Sequence, residues 1–418
     1  MRPSPVVPFL AALLAVAAAS PGCVGVHGRA PAPVALAEAA RGPVTILVSI
    51  DGFRPDYLTP EATPVLHALA AGGAQASMRP SFPTMTFPNH YTLVTGLRPD
   101  RHGVVENTME DPARPGVQFR LADAAQVRDR FWWDDAEPIW VTAERAGMRT
   151  GTMFWPGSEA DVRGVRPSTW LPYTPAITSD QRVGFVLDWL RRPADERPRL
   201  LTLYFDVVDK RAHEQGFDAP EVAVAVREVD AAIGRLRDGL AAMGQPANLV
   251  IVSDHGMAPV PPGNLLDANA IVDPATARVN TTGPLLFAYP KPGFEAAVAA
   301  RVPGRHGPIQ CWAREKLPAR FQYGRHRRVA PYICMADMGW RFPYNEKRRF
   351  LKGDHGFDPA DPSMQALFVA HGPAFRAGVR LKPFDNVAVA PLLRDLVGLP
   401  AGAGLDGDAA PFEAARAR

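Results

Sequence analysis

The chain has little cysteine, no long apolar run and no excess of charge. Only 3 of its 418 residues are cysteines, Cys23, Cys311 and Cys334. That excludes a disulfide-dense scaffold and a zinc site built from paired thiolates. A membrane-spanning helix needs about 20 consecutive apolar residues, and the apolar run Phe9 to Ala19 is too short for that. With 46 basic against 43 acidic residues the net charge is +3, which gives no electrostatic argument for a nucleic acid or an anionic membrane as partner. Internal repeats and heptads are absent as well. Proline is plentiful, at 44 residues, and points to many punctuated loops rather than long unbroken helices. A hydrophobic content of 47% in a chain of this length is enough to bury a large core.

The N-terminus reads as an export signal over residues 1–22. Arg2 supplies a basic start, Phe9 to Ala19 an apolar centre, and small residues follow through Ser20 and Gly22. Cys23 is a candidate for lipid attachment, although Ser20 stands where such signals favour an aliphatic residue; plain cleavage is the preferred reading. Residues 23–42, rich in Ala and Pro, read as a disordered leader. Export makes the periplasm or the exterior the expected location. In that oxidising setting Cys311 and Cys334 are expected to form a disulfide, the alternative being two buried thiols.

The remaining chain alternates strands with helices. Val44–Ile50 (V-T-I-L-V-S-I) is an apolar, β-rich run ending in Asp51-Gly52. Similar strands are expected near Thr150–Trp155, Leu200–Phe205, Asn248–Ser253 and Leu367–Ala370. Helices are expected at Thr63–Ala71, after Thr86, and at Pro138–Ala146, Ser179–Arg191, Asp218–Met243 and Val387–Val397. This pattern predicts an α/β fold with a mostly parallel central sheet covered by helices on both faces. The rhythm breaks over about 261–349, which reads as an inserted smaller subdomain. Residues 43–400 are expected to form the main domain, and 401–418 a C-terminal tail.

Sites in such sheets form at the carboxyl ends of the strands. Asp51, Asp209 and Asp254 all lie just beyond strand ends. Asp209 and His213 form D-x-x-x-H, a spacing that one helical turn brings to a single face. Asp254-His255 follows the buried strand V-I-V-S, and His355 sits between glycines in G-D-H-G-F-D. Taken singly, each has a plain structural explanation: a cap, a turn or a solvated helix face. Together they supply three aspartates and three histidines. Thr86 adds a hydroxyl immediately before Phe87-Pro88, where it or Phe87 is expected to cap a helix. A hydroxyl at a helix N-terminus faces unpaired N–H groups, a setting suited to a phosphoryl group. The donors suffice for two metal ions of the kind that clamp the attacking and leaving oxygens in phosphoryl transfer. Mixed nitrogen and carboxylate donors suit zinc first.

With these residues in view the chain resembles the nucleotide pyrophosphatase/phosphodiesterases of the alkaline phosphatase superfamily. The matching pieces are I-D-G-F-R-P-D-Y-L, F-P-T-M-T-F-P-N-H-Y-T-L-V-T-G, H-G-V-V-E-N-T-M, D-x-x-x-H, V-S-D-H-G-M and H-G-F-D, in the family's order from Val44 to Leu399. The resemblance implies an alkaline-phosphatase-like fold and a bacterial member made of the catalytic domain alone. It implies two Zn2+ per chain. Asp51, Thr86, Asp254 and His255 would hold the ion that activates Thr86, the nucleophile. Asp209, His213 and His355 would hold the ion on the leaving-group side. Asn107 would donate to a non-bridging phosphoryl oxygen, and Phe87 and Tyr173 would sandwich a nucleobase. Met85 and Phe357 depart from the family pattern, standing where some relatives carry a basic residue and a tyrosine.

The expected activity is release of nucleoside 5′-monophosphates from nucleotide diesters and pyrophosphates through a covalent threonine intermediate, by a monomer acting on small nucleotides. The alternatives are a phosphomonoesterase or phosphonate-ester hydrolase on the same scaffold, and a non-enzymatic metal- or ligand-binding protein. No C/S-x-P-x-R context exists for a sulfatase.

Overall fold

The computed structural model describes residues 41–343 and 351–417. The expected signal, most of the expected leader and Cys23 fall outside the described residues, as do residues 344–350.

Val44–Ile50 is a strand buried along its whole length. It is flanked by two parallel partners, Leu200–Phe205 and Ala247–Val252. Successive side chains of a strand point to opposite faces, so Leu47 enters one core while Ile46, Val48 and Ile50 enter the other. This explains why the run carries no polar alternation. Thr150–Met153 and Thr169–Leu171 extend the sheet in parallel on one side. On the other side Ala366–His371 runs antiparallel to Ala247–Val252 and to Ala74–Arg79. The nine-stranded sheet is therefore mixed, with a parallel centre. Ala74–Arg79 was not anticipated, because A-Q-A-S-M-R is only partly buried and lacks an apolar signature.

Helices cover both faces. Pro220–Ala242 buries Val222, Val226, Val229, Ile233, Leu236 and Leu240, a stripe at helical spacing, in the core shared with Ile46 and Val48. From the same helix Asp230 accepts the N–H groups of Leu66 (2.8 Å) and Val65 (3.1 Å), satisfying the start of helix Pro64–Ala71. On the opposite face Tyr91, Trp133, Trp140, Leu392 and Leu393 pack with Leu47 and Val250.

The segment after residue 261 builds a five-stranded antiparallel sheet from Ala277–Thr282, Leu285–Pro290, Tyr332–Ala336, Ile309–Ala313 and Gly304–His306. It has its own small core, and Cys311 and Cys334, opposite each other in register, are joined by a disulfide. Buried Arg328 ties this segment to the main domain. Its guanidinium donates to the carbonyls of Gly103 and Trp132, both at 2.8 Å, and to Asp111 at 2.6 Å. Tyr323 donates its hydroxyl to the carbonyl of Val105 at 2.9 Å. These bonds grip the loop that leads into Glu106 and Asn107.

Residues 401–417, expected as a tail, instead close on the core. Phe412 is 1% exposed and packs against Phe384 (4.9 Å between centroids) and Phe368 (5.2 Å). The sequence reading missed it because a single aromatic in a short Ala-rich stretch has no periodic signature.

Two stability predictions follow from these contacts. Phe412→Ala should cost about 3–5 kcal/mol by urea unfolding; a cost under about 1 kcal/mol would show that the segment is not part of the core. The second concerns Glu106, which is 2% exposed beside Asn107. Burial pushes its carboxyl up from 4.5 to about 8, against the Thr282 hydroxyl and the backbone at Thr108 and Asn107. Between these values the folded chain keeps a proton that the unfolded chain has lost, so this group favours the fold at pH 4.5 and progressively less up to pH 8. The urea midpoint of the parent should therefore fall over that window more steeply than that of Glu106→Gln. Equal slopes would mean that Glu106 is ionised in the fold.

Candidate functional site

The site lies at the carboxyl edge of the central strands. Asp51 directly follows Val44–Ile50, and Asp254-His255 follows Ala247–Val252 by one residue. Leu200–Phe205 leads through Asp206 into helix Val207–Gln215, which carries Asp209 and His213 one turn apart. His355 follows Gly353–Asp354, a short strand that pairs antiparallel with Ala258–Pro259 and so fastens the His355 loop to the exit of the Asp254 strand.

Thr86 begins helix Thr86–Thr95, with Met85 rather than Thr86 or Phe87 at the N-cap. The expectation placed Pro88 at the first helical position, whereas it occupies the third. There too its missing N–H costs nothing, because the first helical N–H groups have no partner within the helix. Thr86 thus keeps its place at the helix start but does not cap it.

The expected donors converge in two groups. Around His255 Nε2 lie Asp254 Oδ2 at 3.0 Å, Thr86 Oγ1 at 3.4 Å and Asp51 Oδ1 at 3.6 Å. Around Asp209 Oδ1 lie His213 Nε2 at 3.5 Å and His355 Nε2 at 3.7 Å. The His255 and His355 rings stack at 3.7 Å, bringing the two groups side by side.

The residues fit a pair of cations. Each histidine places Nδ1 against a carbonyl oxygen: His213 on Gly353 (2.9 Å), His255 on Gly256 (2.9 Å) and His355 on Thr84 (2.8 Å). A carbonyl can only accept, so each Nδ1 carries the proton and each Nε2 turns a lone pair into the site. Asp51 Oδ1, Asp209 Oδ1 and Asp254 Oδ2 are buried without a hydrogen-bond partner. Tetrahedral ligands about 2.0–2.1 Å from zinc stand about 3.4 Å apart, close to the spacings found.

The electrostatics point the same way. Burial, and then the charges of Asp254 and Asp209, raise the Asp51 carboxyl well above its usual range. Burial also raises Asp209. Asp254 is desolvated too, yet His255 and His90 hold it well below the usual range. Three carboxylates this close cannot all stay ionised in a dry site without positive charge among them.

Two close approaches shape this edge. Gly52 has φ +65°, and a side chain there would come within 3.0 Å of Asp209. At Gly353 a Cβ would lie 2.4 Å from the carbonyl of Ala212, so only glycine lets this strand reach His213.

Asn107 is 7% exposed, and its Oδ1 accepts the backbone N–H of Phe87 at 3.0 Å. That bond orients its NH2 group away from the helix and leaves it available as a donor. Phe87 packs against Phe119 and Trp133, while Tyr173, 45% exposed, meets Phe154 and Tyr204. The two rings are thus held by separate sets of neighbours.

Several supporting residues went unassigned in the sequence. Tyr204 donates to Asp51 Oδ2 at 2.5 Å. His90 bridges the carbonyl of Thr86 (2.9 Å) and the hydroxyl of Ser49 (2.8 Å). Asp354 forms a further potential metal group with His213 and His355, and pairs with buried Arg341 at 3.2 Å. Its position next to His355 was the signal available for it.

Residues 45–358 match the family described as type I phosphodiesterase/nucleotide pyrophosphatase. Human ectonucleotide pyrophosphatase/phosphodiesterase family member 1 is 34% identical over 375 residues, 85% of this chain and 40% of that protein. The chain spans about two fifths of the length of the human, mouse and rat member 1 proteins. A bis(5′-adenosyl)-triphosphatase of Xenopus laevis is 34% identical over 361 residues, 85% of this chain and 78% of that protein. Among solved structures, an inactive threonine-to-alanine variant of murine ectonucleotide pyrophosphatase/phosphodiesterase 5 in complex with AMP superposes with a TM-score of 0.84 at 31% identity, covering 90% of this chain and all of that one. These relatives are animal proteins and lend no support to the bacterial origin expected above. Among the described residues no helix is long and apolar enough to cross a membrane. The chain belongs to the type I phosphodiesterase/nucleotide pyrophosphatase family.

Proposed function

We propose that the chain is an exported two-zinc phosphodiesterase that releases nucleoside 5′-monophosphates from nucleotide diesters and pyrophosphates. The observation that carries this reading is the convergence of two donor groups beside a threonine at the start of a helix, with Thr86 Oγ1 3.4 Å from His255 Nε2. The murine relative that binds AMP, inactive as a threonine-to-alanine variant, supports both the substrate class and the role of Thr86.

Asp51, Thr86, Asp254 and His255 would hold one zinc, and Asp209, His213 and His355 the other. When bound, the pair would supply Lewis-acid stabilisation of the Thr86 alkoxide and of the departing oxygen. Thr86 Oγ1 attacks phosphorus in line with the leaving oxygen, forming a phosphodiester to the threonine as the leaving group departs. Attack by water then frees Thr86 and the nucleoside 5′-monophosphate. Asn107, oriented through the Phe87 N–H, donates to a non-bridging oxygen as its charge grows. His90 anchors the carbonyl of Thr86 and so steadies the first turn of the helix. Phe87 and Tyr173 offer ring faces to the base.

Two tests follow. Chelator-sensitive cleavage of a p-nitrophenyl nucleoside 5′-monophosphate diester should greatly exceed that of p-nitrophenyl phosphate, and Thr86→Ala should lose on the order of 10³-fold or more in kcat. Faster turnover of the monoester would move the enzyme to the phosphatase branch. His213→Ala and His255→Ala should each lose about one zinc per chain by atomic absorption, and retention of two by both variants would sink the metal assignment.

A further inference from the structure

Tyr173 is exposed, yet the residue is held at three points. Its backbone N–H donates to Glu159 Oε1 at 2.8 Å, and Glu159 is in turn paired with Arg128 at 3.0 Å. The ring edge meets Phe154 at 5.3 Å and an interplanar angle of 72°. Phe154 is a non-glycine residue at φ +61°, a conformation that persists only where its surroundings enforce it. The Tyr173 hydroxyl donates to Asp206 Oδ2 at 2.7 Å. The other Asp206 oxygen lies 2.7 Å from Arg182 Nη1, and that guanidinium, 3% exposed, also donates to the carbonyls of Tyr204 (2.8 Å) and Ile177 (3.0 Å). Asp206 is thus braced by a buried cation and aimed at a surface phenol. It also occupies the N-cap position of the helix that carries Asp209 and His213.

An exposed tyrosine gains little from being fixed unless its orientation matters, because fixing a side chain costs entropy. We propose that Asp206 is a positioning residue for nucleotide selectivity: it sets the plane of the Tyr173 ring and so presents one face for stacking on the base. This rests on the reading of Tyr173 as a base-binding residue given above. Asp206 touches neither the reacting phosphorus nor the donors around it in this scheme. It acts through Tyr173, and it joins the base site to the helix that bears half of the metal donors.

The test uses the zinc-loaded protein on two diesters, a p-nitrophenyl nucleoside 5′-monophosphate and methyl p-nitrophenyl phosphate, which has no base. Asp206→Ala should raise KM for the nucleotide diester about tenfold with kcat changed less than threefold, as expected for loss of a hydrogen bond to a charged acceptor. The ratio of kcat/KM between the two diesters should fall about tenfold. Tyr173→Phe, which keeps the ring but not the hydroxyl, should reproduce this fall, and the double variant should add nothing to it. Zinc content should match the parent in all of these variants. An equal loss of Asp206→Ala on both diesters, or lost zinc, would show a merely structural role and overturn the inference. A parent-like Tyr173→Phe beside a costly Tyr173→Ala would overturn the inference alone. A silent Tyr173→Ala would remove the base reading and the inference with it.

Discussion

Three buried carboxylates held within reach of one another are the constraint on which this molecule depends. Asp51, Asp209 and Asp254 arrive from three neighbouring parallel strands, and in a dry environment their charges repel and are stripped of water. Such an arrangement is costly unless positive charge is placed among them. His255, raised against its own burial by Asp254, offsets one of these charges, whereas His355 is held well below its usual range by burial and by His255 and His213. Metal cations are a further source, and the backbone contacts of the three imidazoles leave their Nε2 atoms suited to such ions. The glycines at 52 and 353 and the Tyr204 bond to Asp51 serve the same end, since each fixes where a donor atom stands.

The parallel strands are what make this crowding feasible. Their common direction delivers Asp51, Asp206 and Ser253-Asp254 to one edge, while the antiparallel strand Ala366–His371 continues the sheet beyond Ala247–Val252 towards Ala74–Arg79. The helix that starts at Thr86 then sets a hydroxyl beside the donors, and Asn107 is fastened next to it through the Phe87 N–H. Positioning comes from the sheet and charge from the aspartates.

Much of this was legible in the sequence for a physical reason. Val44–Ile50 and Leu200–Phe205 are buried on both faces, so their strand ends coincide with the ends of apolar runs, and polar residues just beyond them mark the site. Helical spacing placed Asp209 and His213 on one face, but only the other aspartates and histidines beside them pointed to a site. What escaped notice has no such period. Ala74–Arg79 is half polar, and Met85 displaced Thr86 from the cap because proline is equally tolerated two residues further into the first turn. Phe412 acts through contacts 28 and 44 positions away and Arg328 through contacts about 200 positions away, and such partners are set only by the finished fold. Asp206 belongs to the same class. Its sequence setting suggests a helix cap, and its bond to Tyr173 exists only because two loops meet.

The inserted antiparallel sheet bears on how the molecule can change. It has a core of its own, a covalent staple in Cys311–Cys334 and an attachment concentrated at Arg328 and Tyr323. Its loops can therefore vary in length and composition without disturbing the strand ends that hold the donors. The grip on the Glu106–Asn107 loop nevertheless carries any such variation to Asn107 and its bond to Phe87. Variation in this sheet would in this way reach Asn107 while the buried donors stay in place.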